Sequence, residues 1–80
     1  MTPAAFRECL ALLRWTQRGL ARALGRPEGT VRQWARGDVR VPDDVATWLE
    51  AITPRAVELH ARLDALLAEL PPPRRKEKRP

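Results

Sequence analysis

The 80 residues of this chain are enough for one small domain and leave no room for a second hydrophobic core. The single cysteine, Cys9, excludes an intrachain disulfide, and with only one histidine beside it the chain has too few ligands for a zinc site. The net charge of +5 is unevenly distributed, because residues 14–40 contain seven arginines against two acidic residues, whereas residues 41–70 are acidic overall. Positive charge concentrated in one segment is typical of a surface that binds a polyanion.

The amino-terminal stretch MTPAAFRECLALL lacks the basic-then-apolar order of a signal peptide. No apolar run approaches the roughly 18 residues that cross a bilayer. We therefore expect a cytoplasmic protein without a membrane partner.

The first two helices have clear local start signals. Thr2 is a good N-cap and Pro3 suits the first helical position, so the first helix is predicted to run to about Arg14. A second helix is predicted over residues 17–24, with Thr16 as its N-cap. The apolar stripe of the first helix consists of Phe6, Cys9, Leu10 and Leu13, and we expect Cys9 to be a buried structural thiol.

A tight turn is predicted between the second helix and the third. Gly25 supplies the positive φ that ends a helix, and Pro27 is predicted to begin the third helix. That helix is predicted to end near Arg36, with Gly37 as its C-cap.

Two further helices are predicted after this one. Pro42 is expected to start the fourth helix, whose buried face comprises Val45, Trp48, Leu49 and Ile52. Thr53-Pro54 repeats the opening signature and predicts a fifth helix that ends at about Leu70. With no strand pattern present, the prediction is an all-α fold of five helices, divided into residues 1–53, a carboxy-terminal helix over 54–70, and a disordered basic tail over 71–80.

The stretch TQRGLARALGRPEGTVRQW has the spacing of a helix-turn-helix over residues 17–36. Counted from Gln17, a small residue stands fifth, where the two helices cross, and a glycine stands ninth. Apolar residues stand fourth, eighth, fifteenth and eighteenth. The motif core is therefore Leu20, Ala21, Leu24, Gly25, Val31 and Trp34.

Together with the continuation WARGDVRVPDDVATWL, this motif resembles the Cro and lambda-repressor-like family over residues 6–53. The resemblance implies a five-helix lambda-repressor-like DNA-binding domain that works as a dimer. One departure is Pro27, which stands where that family usually has a serine or threonine cap.

In such a domain the third helix lies in the major groove. The predicted base contacts are Glu28, Gly29, Thr30, Arg32 and Gln33, and the predicted phosphate contacts are Gln17, Arg18, Arg36 and Arg40. Arginine can bind guanine through two hydrogen bonds, and glutamine can bind adenine in the same way. The resemblance also implies that Gln17 braces Glu28. For Arg14, Arg22 and Arg26 a solvated surface charge is the favoured interpretation, and for the three tryptophans it is packing.

Leucines in the predicted fifth helix recur at the a and d spacing of a heptad. The predicted dimer interface consists of Leu59, Leu63, Leu66 and Leu70. The alternative, that this stripe closes the domain's own core, applies at least to its first turns.

These features favour a sequence-specific regulator that binds double-stranded DNA. We expect it to be a dimeric autorepressor that binds an inverted repeat and is associated with the nucleoid. Phage regulators, antitoxins and repressors beside anti-CRISPR genes share this pattern. An enzyme is not expected, since no nucleophile–base set, cofactor motif, metal site or small-molecule site is evident. The alternative is a protein-interaction module, such as an antitoxin bound to a protein partner.

Overall fold

The computed structural model of the protein describes residues 1–70 and 72–73. These residues form four α-helices and no strand, so the predicted all-α class is confirmed. The helices are α1 Pro3–Leu13, α2 Gln17–Leu24, α3 Glu28–Arg36 and α4 Asp43–Glu69. Apart from two prolines, the predicted basic tail lies outside the described residues.

Four predicted caps are confirmed, two at the starts of α1 and α2 and two at the ends of α2 and α3. The hydroxyls of Thr2 and Thr16 each accept a hydrogen bond from the N–H three residues further on, at 3.0 and 2.9 Å. Gly25 and Gly37 end α2 and α3 in the left-handed region, with φ of 68° and 86°. Local chemistry therefore determines where these helices begin and end.

Both predicted proline starts fall one residue early. Pro27 and Pro42 are extended and precede α3 and α4 as N-caps without a side-chain cap hydrogen bond. The first helical residues are Glu28 and Asp43, whose carboxylates favour the positive end of the helix dipole.

One core joins the helices. Helix α1 packs against α3 and α4, and α2 packs against α3. The core residues are Phe6, Leu10, Leu13, Leu20, Ala21, Val31, Trp34, Ala35, Val41, Val45, Ala46 and Leu49. Cys9, expected to be buried, is half-buried at the edge of this cluster.

The predicted fifth helix is wrong as a separate element, because α4 continues through Pro54 for 27 residues. Thr53 does not cap a new helix. Its side chain is buried, and its hydroxyl donates a hydrogen bond of 2.6 Å to the carbonyl of Leu49, one turn earlier. The boundary predicted between residues 53 and 54 therefore lies inside a helix.

Packing on both sides of Pro54 explains this continuity. A proline inside a helix costs about 3 kcal/mol, because it lacks an N–H and crowds the preceding turn. Ile52 and Ala56 both pack against the core, and Leu49 is fully buried. Burying a large aliphatic side chain contributes about 1.5–3 kcal/mol, so this packing offsets the cost of the proline.

Trp48 was expected in the core but is 37% exposed. It lies at the edge of the apolar stripe of α4 and stacks on Trp15, with ring centroids 6.1 Å apart and the planes inclined by 30°. Trp15 is half-buried against the core, as the packing interpretation predicted. The two indoles thus form a stacked pair at the edge of the core.

The second half of α4 extends past the core. An ion pair ties it to the C-cap of α1, where Arg14 Nη2 lies 2.7 Å from Asp64 Oδ2. This hydrogen bond, reinforced by the charge of Arg14, lowers the pKa of the Asp64 carboxyl. The leucines of the predicted interface lie on another side of α4 and are exposed: Leu59, Leu63, Leu66 and Leu70.

Candidate nucleic-acid interface

The corner between α2 and α3 has the compact geometry that the helix-turn-helix spacing predicts. Ala21 is buried, and its carbonyl accepts a hydrogen bond of 2.9 Å from the N–H of Arg26 just beyond the turn. Leu20, Val31 and Trp34 are also buried. Leu24 is half-buried against the same core. The predicted motif core is therefore brought together as expected.

One face of α3 is fixed by packing. Val31, Trp34 and Ala35 are buried, and the ring of Trp34 meets Phe6 edge-on, with centroids 6.0 Å apart. The guanidinium of Arg7 in α1 donates a hydrogen bond to the carbonyl of Ala35. Because a cation suits the carboxyl end of a helix, this contact also stabilises the end of α3.

The opposite face of α3 is open. Gly29, Arg32, Gln33 and Arg36 are exposed and lie within about 100° of one another around the helix. Glu28 and Thr30 are half-buried at its two edges. A Cβ added to Gly29 would meet no atom within 4 Å, so no other part of the described residues covers the first turn of this face. We refer to Glu28, Gly29, Thr30, Arg32, Gln33 and Arg36 as the recognition face.

Glu28 connects the two helices of the motif. Its Oε1 lies 3.4 Å from Nε of Arg18 in α2, and its Oε2 lies 3.5 Å from Nη2 of Arg32 in α3. In the described part of the chain, the α2 side chain that reaches Glu28 is thus Arg18 rather than Gln17. Both arginines are predicted DNA contacts, and one carboxylate holds them on the same side of the domain.

The other two predicted phosphate-binding arginines are also close to acidic side chains. Arg36 Nη2 lies 3.1 Å from Asp38 Oδ2, and Arg40 Nη2 lies 3.3 Å from Asp43 Oδ1. All these side chains are more than half exposed, and exposed ion pairs contribute only about 0–1 kcal/mol. The arginines can therefore exchange these carboxylates for a stronger anion at little cost.

The contact of Arg26 was not anticipated from the sequence. Its guanidinium lies 5.5 Å from the ring centroid of Trp34, a cation–π arrangement that joins the turn to the core residue beneath it. Arg14, also expected to be a solvated charge, binds Asp64. These two arginines have structural contacts at positions where the sequence pattern showed only positive charge.

Among the described residues, no group of three or more His, Cys, Asp or Glu side chains is placed to bind a metal ion. Across the same residues, every helix is too short or too polar to span a bilayer. No protein-family model, curated protein or solved structure matches the chain.

Proposed function

We propose that the protein is a sequence-specific regulator of transcription that binds double-stranded DNA through the recognition face. The observation that carries this proposal is the contrast between the two sides of α3. One side packs into the core, and the other presents arginine, glutamine and glycine that no element among residues 1–70 covers. A helix held rigidly behind an exposed hydrogen-bonding face is what reading base edges requires.

The two exposed side chains at the middle of this face supply the base contacts. Arg32 donates two hydrogen bonds to guanine O6 and N7, and Gln33 binds adenine in the same bidentate way. Gly29 allows the first turn of α3 to approach the DNA closely. Glu28 accepts a hydrogen bond from cytosine N4 or keeps Arg32 in position.

Phosphate contacts surround this centre. Arg18, Arg36 and Arg40 release their carboxylate partners and bind backbone phosphates, and Gln17 at the start of α2 binds another. These contacts give affinity for any sequence and make it fall with salt, because each neutralised phosphate releases condensed counterions.

The protein acts as a dimer in this proposal. One recognition helix covers only a few base pairs, whereas a two-fold dimer reads an inverted repeat with half-sites about 34 Å apart. Occupying such an operator in its own promoter makes the protein an autorepressor. Membership of the Cro and lambda-repressor-like family and a cytoplasmic, nucleoid-associated location are parts of the same proposal.

A protein-interaction module is the second candidate function. The exposed leucines in the second half of α4 favour it, since contiguous apolar surface marks interaction sites. Binding a protein there would not involve the recognition face, so substitutions in α3 separate the two functions.

The test compares three arginine variants. Selection from a pool of random duplexes defines the preferred sequence, and fluorescence anisotropy measures binding to it and to scrambled DNA. Arg32→Ala is expected to lose about 1–3 kcal/mol on the preferred duplex and to relax one base position. Arg18→Ala is expected to weaken both duplexes alike and to reduce the salt slope by about one.

Arg55→Ala is the matched control, because it removes the same charge from an exposed position on α4. It should leave the preference between the two duplexes unchanged. Equal affinity of the unmodified protein for preferred and scrambled DNA at physiological salt would contradict sequence-specific regulation.

A further inference from the structure

The second half of α4 carries an apolar surface that the rest of the described chain leaves open. We call it the leucine face, and it consists of Leu59, Leu63, Leu66 and Leu67 in α4 and of Leu70, the C-cap that follows Glu69. Each of these side chains is between 45% and 65% exposed. Contiguous exposed apolar surface of this kind marks an interaction site.

The leucine face continues the stripe that holds α4 in the core. Val45, Leu49 and Ile52 lie on the same side of the helix, about two to four turns before Leu59, and pack inside the domain. The ion pair between Arg14 and Asp64 lies to the side of this stripe and ties the helix to α1. The helix is therefore anchored independently of the leucine face, which stays free for another molecule.

We propose that the leucine face binds the leucine face of a second copy of this chain, with the two helices antiparallel. This deepens the dimer that the proposed function requires, but it is argued and tested without DNA. In the heptad pattern, Ala56, Leu63 and Leu70 occupy a positions, and Leu59 and Leu66 occupy d positions. Antiparallel helices pair a with d positions, which places Leu63 against the partner's Leu66 and Leu59 against the partner's Leu70.

Charge complementarity favours this orientation. Arg62 and Glu69 both occupy g positions, and antiparallel helices bring g positions together along one edge of the pair. In the register given by the leucines, Arg62 faces the partner's Glu69, and the two-fold axis creates the same pair again. Arg62 can make this contact, because it is exposed and its ion pair within α4 is long, with Nη2 3.8 Å from Oε2 of Glu58.

A parallel pairing lacks this complementarity. It would bring g positions against e positions, so that Arg62 would face the partner's Leu67 and Arg55 the partner's His60. Neither contact joins opposite charges.

The length of the helix also suits the antiparallel register. Helix α4 ends at Glu69, and in this register that end lies opposite His60. The partner helix thus stops about one turn short of Ala56, the last residue of α4 that packs against its own core. The paired leucines therefore lie beyond the part of α4 that packs into the core of its own domain.

Charge reversal tests the proposal through the mass of the full chain in sedimentation equilibrium. Arg62→Glu places two glutamates opposite the partner's Glu69 residues, and Glu69→Arg places two pairs of arginines together. Replacing two attractive contacts by two repulsive ones is expected to raise the dissociation constant of the dimer about tenfold.

The decisive sample is an equimolar mixture of the two single variants. In an antiparallel pair, each mixed dimer regains both opposite-charge contacts, so its dissociation constant should return to within about threefold of the original. The double variant R62E/E69R should recover equally. In a parallel pair residues 62 and 69 do not meet, so neither the mixture nor the double variant would bind more tightly than the single variants.

Leu63→Asp tests the apolar face itself, with Ala65→Asp as control on the other side of the same helix. The first should give a monomer and the second a dimer, both with unchanged helical circular dichroism. A monomeric parent protein, a dimer indifferent to Leu63→Asp, or a failure of the mixture to recover would each overturn the proposal. A monomer that still prefers one DNA sequence would overturn this pairing while leaving DNA reading by α3 intact.

Discussion

Glu28→Gln is the most informative single change in the recognition face. The substitution keeps the shape of the side chain and removes its charge. In the folded protein Glu28 holds Arg18 at 3.4 Å and Arg32 at 3.5 Å, so glutamine releases both arginines from an ion pair. It also removes the one acidic side chain of a face that is proposed to lie against phosphates.

The expected magnitude follows from these two contacts. Each exposed ion pair contributes at most about 1 kcal/mol, so the loss of both should lower the unfolding free energy by about 2 kcal/mol or less. The same release should strengthen binding to scrambled DNA by about tenfold, because the arginines no longer exchange a carboxylate for a phosphate. Binding to the preferred duplex should gain less, since Arg32 loses the group that orients it, and the preference between duplexes should fall about threefold or more.

Anisotropy titrations of both duplexes at one fixed salt concentration measure this prediction. Glu50→Gln is the matched control, because it makes the same change of charge at an exposed position of α4. Two results would refute the reasoning. One is an affinity for scrambled DNA no higher than that of the control, and the other is an increased preference for the selected sequence.

Two other predictions concern stability. The new Cβ of Gly29→Ala would meet open space, so this change should raise the unfolding free energy by up to about 1 kcal/mol in urea titrations while weakening DNA binding. Gly37→Ala should lower the unfolding free energy by about 1 kcal/mol or more, because φ of Gly37 is 86° and the new Cβ would lie 2.9 Å from the ring of Pro3. Equal effects of the two changes on the unfolding free energy would contradict this difference between the two glycines. Because Arg14 lowers the pKa of Asp64, that carboxylate stabilises the fold at neutral pH and loses its contribution as the pH falls below about 4. Asp64→Asn should remove this part of the acid sensitivity, and urea midpoints at pH 7 and pH 3 that shift as much in the variant as in the parent would exclude it.

The parts of the fold that follow from local chemistry were predictable from the sequence. A threonine that caps a helix or a glycine that ends one acts within four residues, so Thr2, Thr16, Gly25 and Gly37 gave the right boundaries. The motif core was predictable for a similar reason, since the spacing of Leu20, Ala21, Val31 and Trp34 is fixed by helix geometry.

The wrong predictions concern positions where tertiary packing determines the local structure. Thr53-Pro54 carries the same local signal as Thr2-Pro3, but the residues before Pro54 already belong to a helix that is buried against the core. The sequence also could not indicate that Glu28 binds Arg18, because that contact depends on the angle at which α2 meets α3. Trp48 was wrongly predicted to be buried, because the apolar stripe of α4 is wider than the part of the core that packs against it.

The continuity of α4 has a consequence for the proposed regulator. Had a new helix begun at Pro54, the dimer interface and the recognition face would belong to elements joined by a turn, and the two recognition helices of a dimer could adjust their spacing. One helix of 27 residues instead carries both the packing against the core and the leucine face. Since α1 contacts both α3 and α4, the orientation of each recognition face is coupled to the pairing of the two long helices. We therefore expect an operator with a fixed half-site spacing, in which inserting two base pairs between the half-sites weakens binding of the dimer far more than binding of a monomeric variant.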